Sequence, residues 1–353
     1  MDTMKKDSLK NINPQPFSEQ EKKQLKERIF HSIHALNRKK RRLQYTLKIA
    51  ASITVLMGTG LYIMYNNEKP SITDFVKSSK GINVNESNKV TLILANNEDV
   101  NIEGDSTSIS YSKTGEKVNI GNSKTIAQKT SKNKKAAFNT VLVPYGKRSK
   151  IKLSDGSLVW LNSGSKLIYP ALFETDKREV YLEGEAIFDV THNANSPFMV
   201  LSQNQKIKVL GTVFNVSSYP DEDNNFVVLE SGSVHITYDE NLSNKSMTIS
   251  PGTKANVSIK TKKVSSKIVD VNHYFAWRDG ILVLKKHDLQ YIMKRLSRYY
   301  NVPITIQDKD LAKQTFTGYL DLKEDVEKVI EIISKTTDLK YKKINHNQIN
   351  ITN

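Results

Sequence analysis

The hydrophobic pattern changes character four times along the chain. Residues 1–17 are polar, with two prolines and no period. At Ser18-Glu19-Gln20-Glu21 the serine can accept the N3 amide while Glu21 reaches back to the cap, so a helix starts there. Leu25, Ile29, Ile33 and Leu36 then recur at spacings of four, four and three, a single apolar stripe on a charged helix. Ile49 to Asn67 follows, 19 residues without a charge. At about 1.5 Å per residue this helix reaches roughly 28 Å, enough for one membrane crossing.

From Lys89 the pattern turns to short apolar runs separated by turn residues, the texture of an all-β domain, either a sandwich or a solenoid of stacked hairpins. One repeat is visible: Thr91 to Ile102 and Lys150 to Leu161 align as strand, turn, strand, with Asn96-Asn97 opposite Asp155-Gly156. Both pairs suit the positive φ of a tight hairpin turn. Residues 123–135, rich in Ser, Lys and Thr, read as a long loop. Further strands are predicted at 179–182, 186–190, 198–201, 207–209, 213–216, 226–229, 233–238, 246–249 and 254–259.

Near His273 helical periods return. Asp288 can cap a helix whose apolar positions are Leu289, Ile292, Met293, Leu296 and Tyr300, and Leu322, Val326, Val329, Ile330 and Ile333 mark a second. With strands at 281–284, 304–306, 315–319, 339–342 and 348–351, this is βαβ followed by βαββ, a small α+β domain. The predicted organisation is a tail with an amphipathic helix (1–48), a transmembrane helix (49–67), a tether (68–88), an all-β domain (89–272) and the α+β domain (273–353).

Charge orients the span. Arg38, Lys39, Lys40, Arg41 and Arg42 precede it and only Glu68 and Lys69 follow closely, so the positive-inside bias places the N-terminus in the cytoplasm and exports the rest. About 48 residues precede the apolar run and no small-x-small cleavage pattern follows it, so the reading is a retained anchor. Of the net charge of +16, residues 1–44 carry +7 (twelve basic against five acidic residues), most of it in the cluster beside the span, which suits anionic headgroups better than nucleic acid. The chain has no cysteine, which decides nothing about compartment.

The apolar stripe in the tail has no core to bury into. It can lie on the inner leaflet, pair with a second copy, or dock in a partner's groove. His31 and His34 lack further ligands and read as surface residues. No P-loop, G-x-S-x-G, H-E-x-x-H or cysteine nucleophile is present, and no cofactor or metal site is predicted. Glu183 and Glu185 read as surface or turn carboxylates, Asp221-Glu222-Asp223 as a solvated acidic loop, and Trp160 and Trp277 as core anchors.

Several words in the β-region carry a resemblance: Val143-Pro-Tyr-Gly146, Leu153-Ser-Asp-Gly-Ser-Leu-Val-Trp-Leu-Asn162, Val180-Tyr-Leu-Glu-Gly-Glu-Ala-Ile-Phe-Asp-Val190, Val209-Leu-Gly-Thr-Val-Phe-Asn-Val216, Leu229-Glu-Ser-Gly-Ser-Val234 and Pro251-Gly252. In this order they resemble the FecR-like family of membrane-bound sigma-factor regulators. The C-terminal unit, from Trp277-Arg-Asp-Gly280 through Phe316-Thr-Gly318, is similar to the short signalling domain of TonB-dependent transporters and secretins.

The resemblance implies an anti-sigma factor of the inner membrane, N-terminus cytoplasmic and C-terminus periplasmic. Its partners would be an extracytoplasmic-function sigma factor inside, at Leu25, Ile29, Ile33 and Leu36, and the signalling domain of a ligand-loaded transporter outside. Some members split themselves at a Gly-Thr bond that corresponds here to Gly211-Thr212; the plainer reading gives Gly211 a tight bend and Thr212 a strand hydroxyl. The alternative from another class is a membrane-tethered periplasmic module that binds glycan or an envelope protein.

Overall fold

The computed structural model describes residues 18–66, 71–79, 83–121, 124–128, 138–203, 205–240, 243–337, 339–345 and 348–352. The expectations for 1–17, for residues 68–70 and 80–82 of the tether and for most of the 123–135 loop fall outside them. The chain divides into two compact units, Met1–Glu68 and Lys69–Asn353.

Among the described residues the first unit holds one helix, α1 (Glu19–Asn66). Its start is the capping box: Glu21 N donates to Ser18 Oγ at 3.2 Å and Ser18 N donates to Glu21 Oε2 at 3.0 Å. The helix runs through the basic cluster without a break, so amphipathic segment and apolar segment share one axis. It is long and apolar enough to cross a membrane.

The second unit begins with α2 (Ile72–Ser78), inside the stretch expected to be a tether. The correction has a packing cause: Ile72 is buried with Phe138 and Ile168, and Phe75 and Val76 lie against the same cluster. Among the described residues eighteen strands follow. The first five are β1 (Val90–Ile93), β2 (Asp99–Ile102), β3 (Ser106–Tyr111), β4 (Lys117–Ile120) and β5 (Lys124–Ala127). Then come β6 (Phe138–Val143), β7 (Arg148–Lys152), β8 (Leu158–Leu161), β9 (Ser165–Pro170) and β10 (Arg178–Asp189). After these lie β11 (Phe198–Ser202), β12 (Gln205–Val209), β13 (Val213–Ser218) and β14 (Asn224–Ser231). The series closes with β15 (Val234–Glu240), β16 (Ser243–Ile249), β17 (Thr253–Ser258) and β18 (Val264–Ile268).

The strands form one sheet curled into two layers that share β10. One layer runs β2-β1-β6-β9-β10-β11-β12-β15-β16. The other runs β5-β4-β3-β7-β8-β10-β13-β14-β17-β18. The main core lies on the faces that carry Leu167, Val180, Leu182, Phe188, Phe214 and Leu229. Because side chains alternate, the opposite faces need their own cover. Ile168 on one layer is covered by α2, and Ile187, Phe226 and Val228 on the other by Phe275 and Trp277.

The predicted hairpin repeat is present. Asn97 N donates to Leu94 O and Gly156 N to Leu153 O, at equivalent positions, with φ of 62° and 89°. Arg178, buried, fastens the second turn through Asp155 at 2.8 Å. Three expectations change. The two strands predicted at 179–190 are the single β10, which passes from one layer to the other at Gly184, where φ is +104°. Part of the predicted loop is β5, because its backbone pairs with β4 and Ile126 reaches the core. The strand β18 has no alternating pattern to announce it, since it is an outer strand almost wholly exposed.

A short helix α3 (Asn272–Phe275) and a 3-10 turn (Ala276–Asp279) lead into the α+β part. There β19 (Ile281–Asp288), α4 (Leu289–Tyr300), β20 (Ile304–Ile306), β21 (Thr315–Asp321), α5 (Val326–Ser334), β22 (Lys340–Asn345) and β23 (Gln348–Thr352) follow the predicted order. Asp288 caps α4 by accepting from Tyr291 N at 2.7 Å. Leu289, Ile292, Met293 and Leu296 of α4 share a core with Val329, Ile330 and Ile333 of α5. The strands pair as β19-β21 and as β20-β23-β22, the β20-β23 pair being parallel.

Candidate partner-binding surfaces

On α1 the predicted stripe stands in the open: Leu25 is 48 % exposed, Ile29 48 %, Ile33 46 % and Leu36 61 %. The helix turns these four to one side because they fall three and four residues apart. An apolar row at this exposure carries an unfavourable contact with water, and burial of each branched side chain contributes about 1.5–3 kcal/mol.

In the C-terminal part the two small sheets leave outer strands unpaired among the described residues: β19 and β21 bond only to each other, and β20 and β22 only to β23. Tyr319 on β21 is 79 % exposed, and Ile344 on β22 and Ile332 on α5 are also exposed. An outer strand with unpaired N–H and C=O groups beside exposed apolar side chains is suited to accept a partner strand.

The polar face of α4 docks on the β-layers. Glu185, read from the sequence as a surface or turn residue, is 1 % exposed and ion-paired with Arg295. Its carboxylate also accepts from Asn162 Nδ2 at 2.9 Å, and Asn215 Nδ2, which donates to Tyr274 O at 2.6 Å, lies at 3.4 Å. One turn along the helix, Arg298 pairs with Glu222 and, at 2.7 Å, with Asp221, while its guanidinium lies 3.9 Å from the centre of the Tyr219 ring. Lys294 meets Asp221 at 3.0 Å, and Arg298 O accepts from Gly146 N at 2.9 Å. Burial works to raise the Asp221 carboxyl, but Arg298 and Lys294 outweigh it and hold it below its usual value. The supposed solvated acidic loop is thus half of an ion-pair network. Arg295 and Arg298, spaced i and i+3 opposite the apolar face of α4, were the signal that sequence reasoning passed over.

Trp277 is 7 % exposed and covers this interface, whereas Trp160 is only partly buried, with Arg278 5.2 Å from its ring centre and Lys150 at 5.0 Å. Nearby, Lys254 Nζ lies over Phe226 at 4.1 Å and Tyr274 at 4.7 Å. Burial, with Lys267 and Arg295 alongside, pushes its ammonium down to about 8 from 10.5. The unfolded chain therefore holds this proton where the folded chain has released it, and stability rises with pH from about 8 toward 10. Denaturation midpoints at pH 7.5, 8.5 and 9.5 are expected to climb for the wild type, and a Lys254→Met protein to lack that climb. Tyr219 and Tyr291, whose hydroxyls burial pushes up, act in the opposite direction only above about pH 10.

Gly211 and Thr212 lie between β12 and β13. A Cβ on Gly211 would stand 2.6 Å from His192 Cα, so the residue is a close approach of two chain segments. Thr212 is buried, its hydroxyl donates to Ser233 O at 3.1 Å, and its carbonyl accepts from Val190 N. No group of three or more His, Cys, Asp or Glu able to hold a metal ion occurs among the described residues.

Residues 139–235 match the family model described as FecR protein, and residues 281–351 match that described as FecR, C-terminal. No curated protein matches the chain. Two crystal structures of a protein from Parabacteroides distasonis, provisionally named an anti-sigma factor, are similar to it. One is 28 % identical, with a TM-score of 0.56 over 60 % of this chain and 98 % of that one. The other is 27 % identical, with a TM-score of 0.55 over 61 % and 98 %. Both matched segments meet at the Glu185–Arg295 network, so residues 139–235 and 281–351 are a FecR segment and a FecR C-terminal segment packed against each other, in a chain similar to a protein provisionally named an anti-sigma factor.

Proposed function

We propose that this chain is a one-span signal transducer whose tail binds an extracytoplasmic-function sigma factor in the cytoplasm through Leu25, Ile29, Ile33 and Leu36. The observation that carries the reading is the exposed apolar stripe on a capped helix, continuous with the apolar segment. The five basic residues Arg38 to Arg42 just ahead of that segment support a cytoplasmic N-terminus and a periplasmic C-terminus. Outside, the C-terminal domain receives the signalling domain of a TonB-dependent outer-membrane transporter by strand addition at an open edge, and the contact releases the sigma factor.

The test uses the full chain in detergent as bait and the extracytoplasmic-function sigma factors of the same genome as prey. Wild type is expected to retain one of them. Ile29→Glu/Ile33→Glu removes two buried apolar contacts, about 1.5–3 kcal/mol each, so retention falls by at least about a hundredfold. Equal retention by both proteins, or none by either, overturns the assignment of the stripe and returns weight to a tethered periplasmic binding module.

A further inference from the structure

Among the described residues β19, β20, β21 and β22 each have an unpaired side, and three of them carry features that discourage a further strand. β22 sets Lys340, Lys342 and Lys343 along its length, and β20 has only three residues. β19 carries Lys285 and Lys286 where its register with β21 shifts, between Leu284 and His287. Short length, lysines and bulges all blunt a sheet edge. β21 has none of them. It runs seven residues, from Thr315 to Asp321, with the terminal Asp321 as its one charge, and Tyr319 is 79 % exposed.

The backbone of this edge is open at alternate residues. Leu322 N donates to Gly280 O at 2.8 Å and Gln314 O accepts from Leu289 N at 2.9 Å, so even-numbered residues bond toward β19. The N–H and C=O groups of Thr315, Thr317, Tyr319 and Asp321 therefore point away from it. An antiparallel copy of the same strand fits that edge. In the register that overlaps all seven residues, Gly318 lies on a twofold axis opposite its own copy and brings no side chain there. Around it Thr317 opposes Tyr319, Phe316 opposes Leu320 and Thr315 opposes Asp321, each pair occurring twice. No like charges meet, a β-branched residue faces an aromatic one, and a hydroxyl that can donate faces a carboxylate. The same operation on β22 sets lysine against lysine.

We propose that β21 is a self-association edge, on which a second copy of this chain lays its own β21 antiparallel, centred on Gly318, to give the four-stranded sheet β19-β21-β21-β19. Tyr319 then stands between Val283, its neighbour on β19, and Thr317 of the second copy. The pairing does not rest on the sigma-factor or transporter reading, and a transporter strand arriving at this edge has to displace it.

The test is sedimentation equilibrium of the full chain in density-matched detergent over a concentration series. Wild type is expected to pass from one chain toward two as concentration rises. Thr315 is exposed, so changing it leaves the core alone. Thr315→Lys sets a lysine against the second copy's Asp321, and Thr315→Glu sets a carboxylate there, each twice by symmetry. The dissociation constants of these variants are expected to differ by at least about fourfold, with the lysine variant the tighter. Tyr319→Lys, which places a charge within the edge, is expected to weaken the pairing. A wild type that stays single at every concentration overturns the proposal and leaves the edge to a strand of another protein. Equal association of Thr315→Lys and Thr315→Glu, or the reverse order, also overturns it, because pairing through α1 or any other surface does not distinguish them.

Discussion

Replacing Glu185 by alanine is expected to destabilise the second unit by about 3–5 kcal/mol, the cost of stripping one partner from a buried ion pair. The Glu185 side chain is 2 % exposed and that of Arg295 11 %, so water cannot take over the lost contact. Asn162 Nδ2 loses its carboxylate as well, and Asn215 Nδ2 keeps only Tyr274 O. The paired change Glu185→Leu/Arg295→Met removes both charges together and should recover most of the loss, since isolated burial of one charge is the dominant cost. The measurement is denaturant unfolding followed by tryptophan fluorescence. The chain has only two tryptophans, and both Trp160 and Trp277 belong to the cluster at this interface, so the signal reports its opening. A Glu185→Ala midpoint equal to that of wild type would show that the network contributes nothing.

Gly184→Ala is the second large effect. Gly184 has φ of +104°, outside the range that a residue with a Cβ adopts readily, and that Cβ would lie 2.4 Å from Ser165 Oγ and 2.6 Å from Ser165 Cα. The hydroxyl could turn aside, but the backbone atom belongs to β9, which pairs with β10 on its other residues. Strain of about 1–3 kcal/mol and overpacking of similar size add to roughly 2–6 kcal/mol. Gly252→Ala is the control, because Gly252 has φ of +80° with nothing within 4 Å of the added atom. It carries the strain without the collision, so its melting temperature should fall by clearly less. Equal losses in the two variants would mean that the crossing of β10 between layers does not depend on the close approach at Ser165.

The sequence by itself determined the elements whose signals are local. The capping box at Ser18 and Glu21, the stripe on α1, the matched turns at Asn97 and Gly156, and the cap at Asp288 each depend on residues within a few positions of one another. The same holds for the order of strands and helices after Ile281, because a helical period and a strand period are written in the side chains themselves. The family resemblance was equally legible, being carried by words along the chain.

Only the tertiary structure decided what covers each face. Alternation marks Glu185 as lying opposite the core-facing Ala186, a position that reads as surface on an ordinary half-buried strand. It is buried because α4, 110 residues further on, brings Arg295 to it. Asp221 and Glu222 look like a solvated loop until Arg298 arrives, and 72–78 looks like a tether until Ile168 offers it an apolar face. Local pattern reports which side of an element avoids water. Which distant segment supplies the cover depends on contacts between residues far apart in the chain, and a charge that finds its partner across such a distance leaves no period in the sequence.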